Sequence, residues 1–542
     1  MQKLLLLGDE AIAQGAIDAG ISGVYAYPGT PSTEVTEYIQ ESKDAKEREI
    51  RSSWSANEKT AMESAIGMSY AGKKSLVCMK HVGLNVAADA FINSAVTGAN
   101  GGLVVLSADD PSMHSSQNEQ DSRFYGKFAL IPTLEPANQQ EAYDMTRYAF
   151  DLSEKFATPV LIRITTRLAH SRAGVERKVM IEQNKIKLPS NPMQFILLPS
   201  IARKQYDLLL KNQSEFEAEA GRSGNNVLSE GEDKSIGIIA CGLASNYLKE
   251  NYKNEKIPYS VLKIGQYPIP YDLLNSLYES VDEILVLEDG YPIIEEQLRG
   301  SLNKGKKIRG RLDGSIPMAG ELNPNIVGKA LNLKIEEGYP TPSILQPRPP
   351  SLCEGCSHND TFQALNEVMQ NYAPGRVFSD IGCYTLSALA PLKSINTCVD
   401  MGASITMAMG AADAGLIPSV AAIGDSTFTH SGITGLLDAV NTNSPITVVI
   451  NDNSTTGMTG GQDSSAFGKV EEICRGVGVE EDHIRVIVPL KRNHEENLKV
   501  IRDELSYNGV SVIIAKRECI QTLRRRMKLK ALKKREPELA DN

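Results

Sequence analysis

The stretch "SVAAIGDSTFTHSGITGLLDAVNTNSPITVVINDNSTTGMTGGQ", residues 419–462, has the pattern of a strand, a helix and a second strand. The first apolar strand ends at Gly424, and the second ends just before Asn453. This order is typical of a βαβ unit in a parallel sheet, whose strands finish at the same edge. Ligands of open α/β folds bind outside that carboxyl edge. The sequence therefore predicts a ligand site around Asp425 and Asn453.

The polar residues at this edge indicate a magnesium ion that holds a diphosphate. Asp425 and Asn453 are 28 positions apart (453 − 425), the length of one βαβ unit. Mg²⁺ takes oxygen ligands and favours phosphate oxygens, so Asp425, Asn453 and the Thr455 carbonyl leave room for a diphosphate. This is the spacing of the thiamine-diphosphate motif, although Ser426 stands where the motif has a second glycine. A helix cap after a strand is the alternative for Gly424 to Ser426.

Length, composition and charge narrow the class of protein. The 542 residues exceed a single core and predict several domains. With 41% hydrophobic and 23% charged residues the chain is typical of a soluble globular protein, and its net charge of −10 argues against general nucleic-acid binding. No apolar run approaches the roughly 18 to 20 residues of a bilayer-spanning helix, and the start lacks an export leader. We therefore expect a cytoplasmic protein without a membrane span.

The alternation of apolar runs with helical patterns predicts an α/β protein with three parallel-sheet domains. A charged stretch and a proline-rich stretch interrupt the alternation and are typical of linkers. The expected order is a domain at 1–172, a charged linker region at 173–234, a domain at 235–335, a proline-rich linker at 336–352, a domain at 353–525 and a basic tail at 526–542.

Thiamine chemistry also requires a carboxylate in a second domain. A glutamate bonded to the aminopyrimidine ring promotes the tautomer that deprotonates the thiazolium carbon. The stretch "SANEKTAMESAIGMSYAG" places Glu58 at the start of a predicted helix, after the strand-like "REIRSSWS". A first-turn glutamate that only favours the helix dipole is the alternative. Glu58 is the candidate because the other half of the site is present.

Four of the eight cysteines have a spacing that indicates a metal cluster. Cys353 and Cys356 form a C-x-x-C pair, Cys383 lies 27 positions further (383 − 356), and Cys519 follows the last predicted strand. Four thiolates at one end of a domain fit a [4Fe–4S] cluster. A structural zinc ion or packed thiols are the alternatives. The other four cysteines lie in apolar or helical contexts that are typical of core residues: Cys78, Cys241, Cys398 and Cys474.

Several longer motifs carry a family resemblance. They are "YPGTPSTEV", "KHVGLNVAADAF", "ADDPSMHSSQNEQDSR", "CEGCSHNDTF", "DIGCYTLSAL", "DMGASITMAMG" and "GDSTFTHSGI". From about residue 3 to about residue 525 the chain resembles the large, or alpha, subunits of indolepyruvate-type 2-oxoacid:ferredoxin oxidoreductases. The resemblance implies a pyrimidine-binding domain, a transketolase-C-like domain and a diphosphate-binding domain, in that order. It also implies oxidative decarboxylation of an aryl 2-oxoacid to its acyl-CoA, with electrons passed to ferredoxin.

The resemblance also implies roles for individual residues. Glu58 resembles the pyrimidine-activating glutamate, and Thr30 stands where the family places a hydroxyl near the substrate carboxylate. Arg123 is a candidate for a bidentate clamp on that carboxylate, with a surface ion pair as the alternative. The remaining implied residues are the magnesium ligands Asp425, Asn453 and Thr455 and the cofactor contacts Met401, Gly402, Gly424 and Ser426. Further polar candidates are Lys80, His81, His114 and His358. Each of these four could instead be a loop residue.

In one respect the sequence departs from the family pattern. Indolepyruvate-type alpha subunits usually continue into a ferredoxin-like domain rich in cysteine, whereas here no cysteine follows Cys519. We therefore expect electrons to pass to ferredoxin or a ferredoxin-like subunit. The basic tail holds ten Lys or Arg between Lys516 and Arg535, and either docks such an acidic partner or forms a solvated helix.

The family pattern also implies partners for the chain. A small beta subunit would handle CoA, which predicts a hetero-oligomer such as α2β2. Two alternatives stay open: a thiamine decarboxylase without redox chemistry, and a non-catalytic subunit of a larger redox complex.

Overall fold

The computed structural model describes residues 3–252, 255–301, 305–335, 338–346, 350–398 and 400–528. The chain divides into two compact units, Met1–Pro340 and Thr341–Asn542. The first unit contains two sheets that are largely parallel, and the second contains one parallel sheet. These sheets confirm the predicted α/β class with three parallel-sheet regions.

The first sheet of the first unit has seven strands with helices on both faces. In chain order its strands are β2 (Gly23–Ala26), β3 (Arg51–Trp54), β4 (Ser75–Lys80), β5 (Leu103–Asp109), β6 (Thr133–Leu134), β7 (Val160–Thr165) and β12 (Gln266–Tyr267). They lie in the spatial order β12-β6-β7-β5-β4-β2-β3, and only β12 pairs in the antiparallel sense. A separate antiparallel pair joins β1 (Lys3–Leu7) to β8 (Arg172–Glu176).

The helices of this region cover both faces of the sheet. They are α1 (Gly8–Asp18), α2 (Thr33–Glu41), α3 (Lys43–Glu47), α4 (Glu58–Tyr70), α5 (His81–Val86), α6 (Ala88–Thr97), α7 (Arg123–Ala129), α8 (Gln139–Phe156) and α9 (Thr166–His170). Alternate residues of a strand point to opposite faces. Leu76 and Cys78 of β4 accordingly pack with α1 and α8, whereas Val77 and Met79 pack with α4 and α6. The predicted linker region 173–234 contains α10 (Pro199–Lys211), α11 (Gln213–Arg222) and β9 (Val227–Ser229).

The second sheet of the first unit has five strands. Its strands lie in the order β14 (Lys307–Arg309), β13 (Glu283–Leu287), β10 (Asp233–Cys241), β11 (Tyr259–Ile264) and β9, with only β9 antiparallel. The helices that follow these strands are α12 (Ala244–Glu250), α13 (Tyr271–Ser280), α14 (Ile293–Ser301) and α15 (Pro324–Ala330).

The second unit has a parallel sheet of five strands. Its strands lie in the order β15 (Val377–Ser379), β16 (Ser419–Gly424), β17 (Ile446–Asp452), β21 (Ser511–Lys516) and β20 (Ile484–Ile487). The helices are α16 (Ser357–Met369), α17 (Ala403–Asp413), α18 (Asp425–Thr427), α19 (Ile433–Asn441), α20 (Val470–Gly476) and α21 (His494–Leu505). A small hairpin, β18 (Thr455–Thr456) and β19 (Gln462–Asp463), follows β17.

None of the helices in the described part of the chain has both the length and the apolar character that a membrane crossing requires.

Buried charges connect the two sheets of the first unit. Arg163 on β7 donates to Asp109 Oδ2 and to Glu135 Oε1, each at 2.7 Å. Its third donor group reaches the carbonyl of Asp289, which follows β13, at 2.7 Å. Because Arg163 is almost wholly buried, its loss would leave Asp109 without its arginine partner, and Glu135 with Arg123 at 3.8 Å as its remaining arginine partner, in a region that excludes water.

We expect Arg163→Met to destabilise the first unit by about 3–5 kcal/mol, as the breaking of a buried ion pair does. Arg167→Met is the matched control, because Arg167 pairs with Glu321 at the surface, where a pair contributes only about 0–1 kcal/mol. Thermal unfolding followed by circular dichroism measures both variants. Equal melting temperatures for the two variants would contradict the assignment.

Candidate active site

The parallel register of the second unit brings the two polar strand ends together. Gly424, the last residue of β16, lies opposite Asn451 of β17. Asp425 therefore leaves the sheet at the same edge as the turn that begins at Asn453. Asp425, Asn453 and Thr455 are all buried. The structure thus places the three predicted magnesium ligands at one edge of one sheet.

The carboxylate of Asp425 has the surroundings of a cation ligand. Its Oδ2 is buried and has no hydrogen-bond partner among the described residues. Burial, with the nearby charge of Asp452 as the second cause, raises the pKa of Asp425 to about 7. A buried acceptor without a donor is costly, and a divalent cation bound there would remove that cost. Oxygen donors of this kind fit Mg²⁺.

The turn after β17 explains the run of hydroxyl residues and glycines in "NSTTGMTGGQ". Asn453 Oδ1 accepts from the backbone N–H of Thr455 at 3.1 Å, and Thr455 Oγ1 donates to the Gln462 carbonyl at 2.8 Å. Ser426 Oγ lies 2.8 Å from Thr456 Oγ1. The departure from the usual Gly-Asp-Gly thus adds a contact between α18 and the hairpin.

Asp380 is a buried carboxylate at the same edge that the sequence analysis did not assign. It follows β15 and accepts from Ser404 Oγ at 2.6 Å and from the backbone N–H of Gly402 at 3.2 Å. Tyr384 also donates to it. Burial raises the pKa of Asp380 to about 6. Gly402 has φ of +94°, and a Cβ there would lie 2.6 Å from Ser431 Cβ, so the segment around Met401 and Gly402 requires a glycine.

The four cysteines predicted to hold a cluster line one cavity. Cys353, Cys356, Cys383 and Cys519 all border a cavity of about 290 Å³, together with His358, Asn453 and Arg525. Burial raises the pKa of Cys383 to about 12, and the neighbouring thiols contribute a smaller part of this rise. The cavity thus joins the cysteines to a predicted magnesium ligand.

The four sulfurs are not arranged as a closed tetrahedral zinc site would hold them. A tetrahedral zinc ion with Zn–S distances of about 2.3 Å holds its sulfurs about 3.8 Å apart. Across the described residues, which include all four cysteines, no three of these sulfurs lie within 4.8 Å of one another. Thiolates are the ligands of iron–sulfur clusters, and the [4Fe–4S] cluster at these four cysteines stays a prediction.

In the first unit, Glu58 is the first residue of α4 and is buried. The preceding Asn57 caps the helix by accepting from the N–H of Thr60 at 2.9 Å. A Cβ added to Gly83 of α5 would lie 2.5 Å from Glu58 Oε1. The carboxyl group therefore lies directly over the backbone of α5, and only glycine at position 83 leaves it that room.

Thr30 and Lys80 lie close to each other at the carboxyl ends of neighbouring strands. Thr30 is in the turn after β2, and a Cβ on the adjacent Gly29 would lie 3.3 Å from Lys80 Cβ. Lys80 Nζ donates to the Ser115 carbonyl at 2.7 Å. Burial lowers the pKa of Lys80 to about 8. The Cβ of Lys80 thus lies beside the predicted carboxylate-binding turn, and its Nζ is held at Ser115.

Two further candidates differ in their surroundings. His81 begins α5 and is buried, and this burial lowers its pKa. His114 is half exposed, and its Nε2 lies 3.4 Å from Glu321 Oε2.

Arg123 lies in a buried network beside a cavity of about 100 Å³ and is not a surface residue. Its guanidinium donates to Asp121, to Glu288 Oε2 at 3.1 Å, to Tyr267 Oη at 3.3 Å and to the Tyr291 carbonyl at 2.9 Å. These contacts use all three of its nitrogens. A clamp on a substrate carboxylate would require some of them to open, and that role of Arg123 stays a prediction.

Comparison with known proteins places the chain in a family. Two family models match it: the pyruvate flavodoxin/ferredoxin oxidoreductase thiamine-diphosphate-binding domain at residues 14–198, and the C-terminal thiamine-pyrophosphate-binding domain at residues 380–513. The indolepyruvate oxidoreductase subunit IorA of Archaeoglobus fulgidus is 39% identical over 96% of this chain and 86% of its own length. The IorA subunit of Pyrococcus abyssi is 38% identical with the same coverage.

The chain belongs to the IorA family. It is thus an alpha-type subunit of the 2-oxoacid oxidoreductase class, and the family resemblance seen in the sequence is confirmed. A solved 2-oxoglutarate:ferredoxin oxidoreductase from Magnetococcus marinus shares the fold, with a TM-score of 0.51 at 16% identity over 61% of this chain and 65% of that one. The roles of individual site residues and the domain boundaries stay predictions.

Two residues of this IorA family member that the sequence analysis did not assign, Asp380 and Gly83, lie where a simple rule would have found them. Asp380 follows strand β15, as Asp425 follows β16, and the strand-end rule applies equally to both. Gly83, like the predicted Gly402, allows a close approach of another group. A glycine beside a polar motif is the signal for such an approach.

We expect Asp425→Asn to weaken thiamine-diphosphate binding in the presence of Mg²⁺ by at least about 10-fold, the lower end of the loss when a metal site is perturbed. The physical reason is the loss of the only anionic oxygen among the three predicted ligands. Calorimetric titration at several Mg²⁺ concentrations measures the effect. Asp438→Asn, on the neighbouring helix α19, is the control, and an equal affinity for all three proteins would refute the ligand role.

We expect Glu58→Gln to leave cofactor binding within a few-fold of wild type while slowing proton exchange at the thiazolium C2 carbon about 10²- to 10⁴-fold, the usual contribution of a general acid or base. Exchange of that proton for deuterium, followed by NMR, provides the measurement. Glu63→Gln is the control because Glu63 lies on the same helix and pairs with Lys59 at the surface. Unchanged exchange in Glu58→Gln would rule out the assignment.

Proposed function

We propose that this chain is the thiamine-diphosphate-dependent subunit of a heteromeric enzyme that oxidatively decarboxylates an aryl 2-oxoacid of the indolepyruvate type. The products are an acyl-CoA, CO₂ and electrons that pass through a [4Fe–4S] cluster to ferredoxin. The observation that carries the proposal is the cavity shared by the four cysteines and Asn453. An electron carrier held there would lie beside the predicted magnesium site, whereas plain decarboxylation needs no such carrier.

The proposed reaction balances when CoA and an electron acceptor both take part. The bond between the 2-oxo carbon and the carboxylate breaks, and a bond from that carbon to the CoA sulfur forms. The thiol proton is released, and the electron pair left by CO₂ goes to the acceptor. When bound, thiamine diphosphate supplies the carbon centre that attacks the oxo group and stabilises the charge left by CO₂.

The chain's own residues would position these reactants. Asp425, Asn453 and the Thr455 carbonyl would hold Mg²⁺ and through it the diphosphate. Glu58 would hold a proton at the aminopyrimidine nitrogen. Its position over the backbone of Gly83 supports this role. Thr30 would contact the substrate carboxylate.

The proposal includes the partners predicted from the sequence. A small beta subunit would bind CoA in an α2β2 assembly, and ferredoxin or a ferredoxin-like subunit would take the electrons in the cytoplasm. Near the cavity, residues 520–528 are helical, and Arg525 Nη1 donates to the Gly460 carbonyl at 3.2 Å. Arg525 therefore brings a positive charge to the cavity. From residue 529 onward the basic tail lies outside the described residues, and its docking role stays a prediction.

Anaerobic purification with quantification of iron, sulfide and thiamine diphosphate tests the proposal. We expect about four irons per chain, as a cubane cluster requires, and their loss in Cys353→Ala. Cys398→Ala is the control, because Cys398 also lies in the second unit but does not line the cavity. Thiamine diphosphate without iron in the wild type would favour a decarboxylase without redox chemistry. Failure to bind the cofactor would favour a non-catalytic subunit.

A further inference from the structure

The imidazole of His358 lies between two predicted ligand sets. His358 is the second residue of α16 and is only 2% exposed. Its Nδ1 lies 3.4 Å from Cys356 Sγ, and its Nε2 lies 3.4 Å from Asn453 Nδ2. The ring also packs edge-on against Tyr384, with 6.1 Å between the ring centres. One nitrogen thus contacts a predicted cluster ligand and the other contacts a predicted magnesium ligand.

The chemistry of the two neighbours determines where the imidazole proton lies. A cysteine that binds a metal is a thiolate and only accepts hydrogen bonds, so Nδ1 must carry the proton. A neutral imidazole with a proton on Nδ1 has an acceptor at Nε2. The amide nitrogen of Asn453 is a donor and matches that acceptor. The hydrogen bonds therefore run in one direction, from Asn453 through His358 to Cys356.

We infer that His358 is a positioning residue that connects the cluster to the magnesium–diphosphate site. Its Nδ1–H supports the Cys356 sulfur, and its Nε2 holds the Asn453 amide nitrogen so that Oδ1 faces away from the ring, where it accepts from the Thr455 N–H and would be available to the metal. This inference rests on the proposed function. A backbone contact strengthens it, because the N–H of Cys519, another predicted cluster ligand, donates to the Asn453 carbonyl at 3.1 Å.

Each half of this connection has a measurable consequence. A hydrogen bond to a cluster sulfur stabilises the more negative, reduced cluster and so raises its reduction potential. A residue that orients a metal ligand usually contributes about 10- to 100-fold to metal affinity. Removal of the imidazole should therefore lower the potential and also raise the Mg²⁺ concentration that half-saturates cofactor binding.

Three substitutions separate the two halves. His358→Asn places an amide near the position of Nδ1 and keeps the contact with Cys356 but cannot reach Asn453. His358→Gln places an amide near the position of Nε2 and keeps the contact with Asn453 but not the one with the sulfur. His358→Phe keeps a ring against Tyr384 and removes both contacts. His494→Gln is the control, because His494 contacts Glu367 at the surface of the same unit.

The experiment uses the anaerobically purified complex of the full chain with its beta subunit. EPR-monitored redox titration measures the cluster potential, and titration with Mg²⁺ at fixed thiamine diphosphate measures the metal dependence. We expect a lower potential in the Gln and Phe variants, and a Mg²⁺ requirement raised about 10-fold or more in the Asn and Phe variants. The His494 variant should match the wild type in both measurements.

Wild-type potential and wild-type Mg²⁺ dependence in all three His358 variants would overturn the inference while leaving the proposed function intact. A wild-type complex without iron or without cofactor would instead overturn the proposed function. If His358→Phe does not fold, the other two variants still decide the matter, because each retains one of the two contacts. His358→Asn should keep the cluster potential and raise the Mg²⁺ requirement, and His358→Gln should do the reverse.

Discussion

The parallel pairing of two buried strands is the constraint on which the candidate site depends. Because Gly424 lies opposite Asn451, the residues that follow each strand emerge side by side. A shift of the register by one residue would turn the alternating side chains to the wrong faces and would separate Asp425 from the Asn453 turn. The apolar interior of the sheet therefore sets the geometry of a polar site that lies outside it.

Buried charged side chains among the described residues differ in how completely they are paired. In the first unit, Arg123 and Arg163 form ion pairs with buried carboxylates, and their networks connect two sheets. In the second unit, Asp425 has an oxygen without a protein donor among the described residues. A fully paired buried charge is typical of structure, and an incompletely paired one is typical of a site that awaits a ligand.

Those features that depend on local pattern could be predicted from the sequence. The apolar runs that end at Gly424 and at Asp452 indicated the strands and their common edge, and the spacing of the cysteines indicated their convergence. Arg123 shows where such reasoning ends. Its place in a family motif suggested a substrate contact, whereas no local pattern indicated its contacts with Glu288 and Tyr291, more than 160 positions away in the chain. Contacts of that separation depend on the packing of whole sheets, which no local pattern encodes.

The position of Cys519 has a consequence for the biosynthesis of the protein. It emerges from the ribosome 136 residues after Cys383 (519 − 383), and the strand that precedes it, β21, lies between β17 and β20 rather than at the edge of the sheet. The cavity therefore gains its fourth cysteine only when β21 has been inserted into the sheet. A group bound by all four sulfurs would enter only after Cys519 has been synthesised and β21 has joined the sheet.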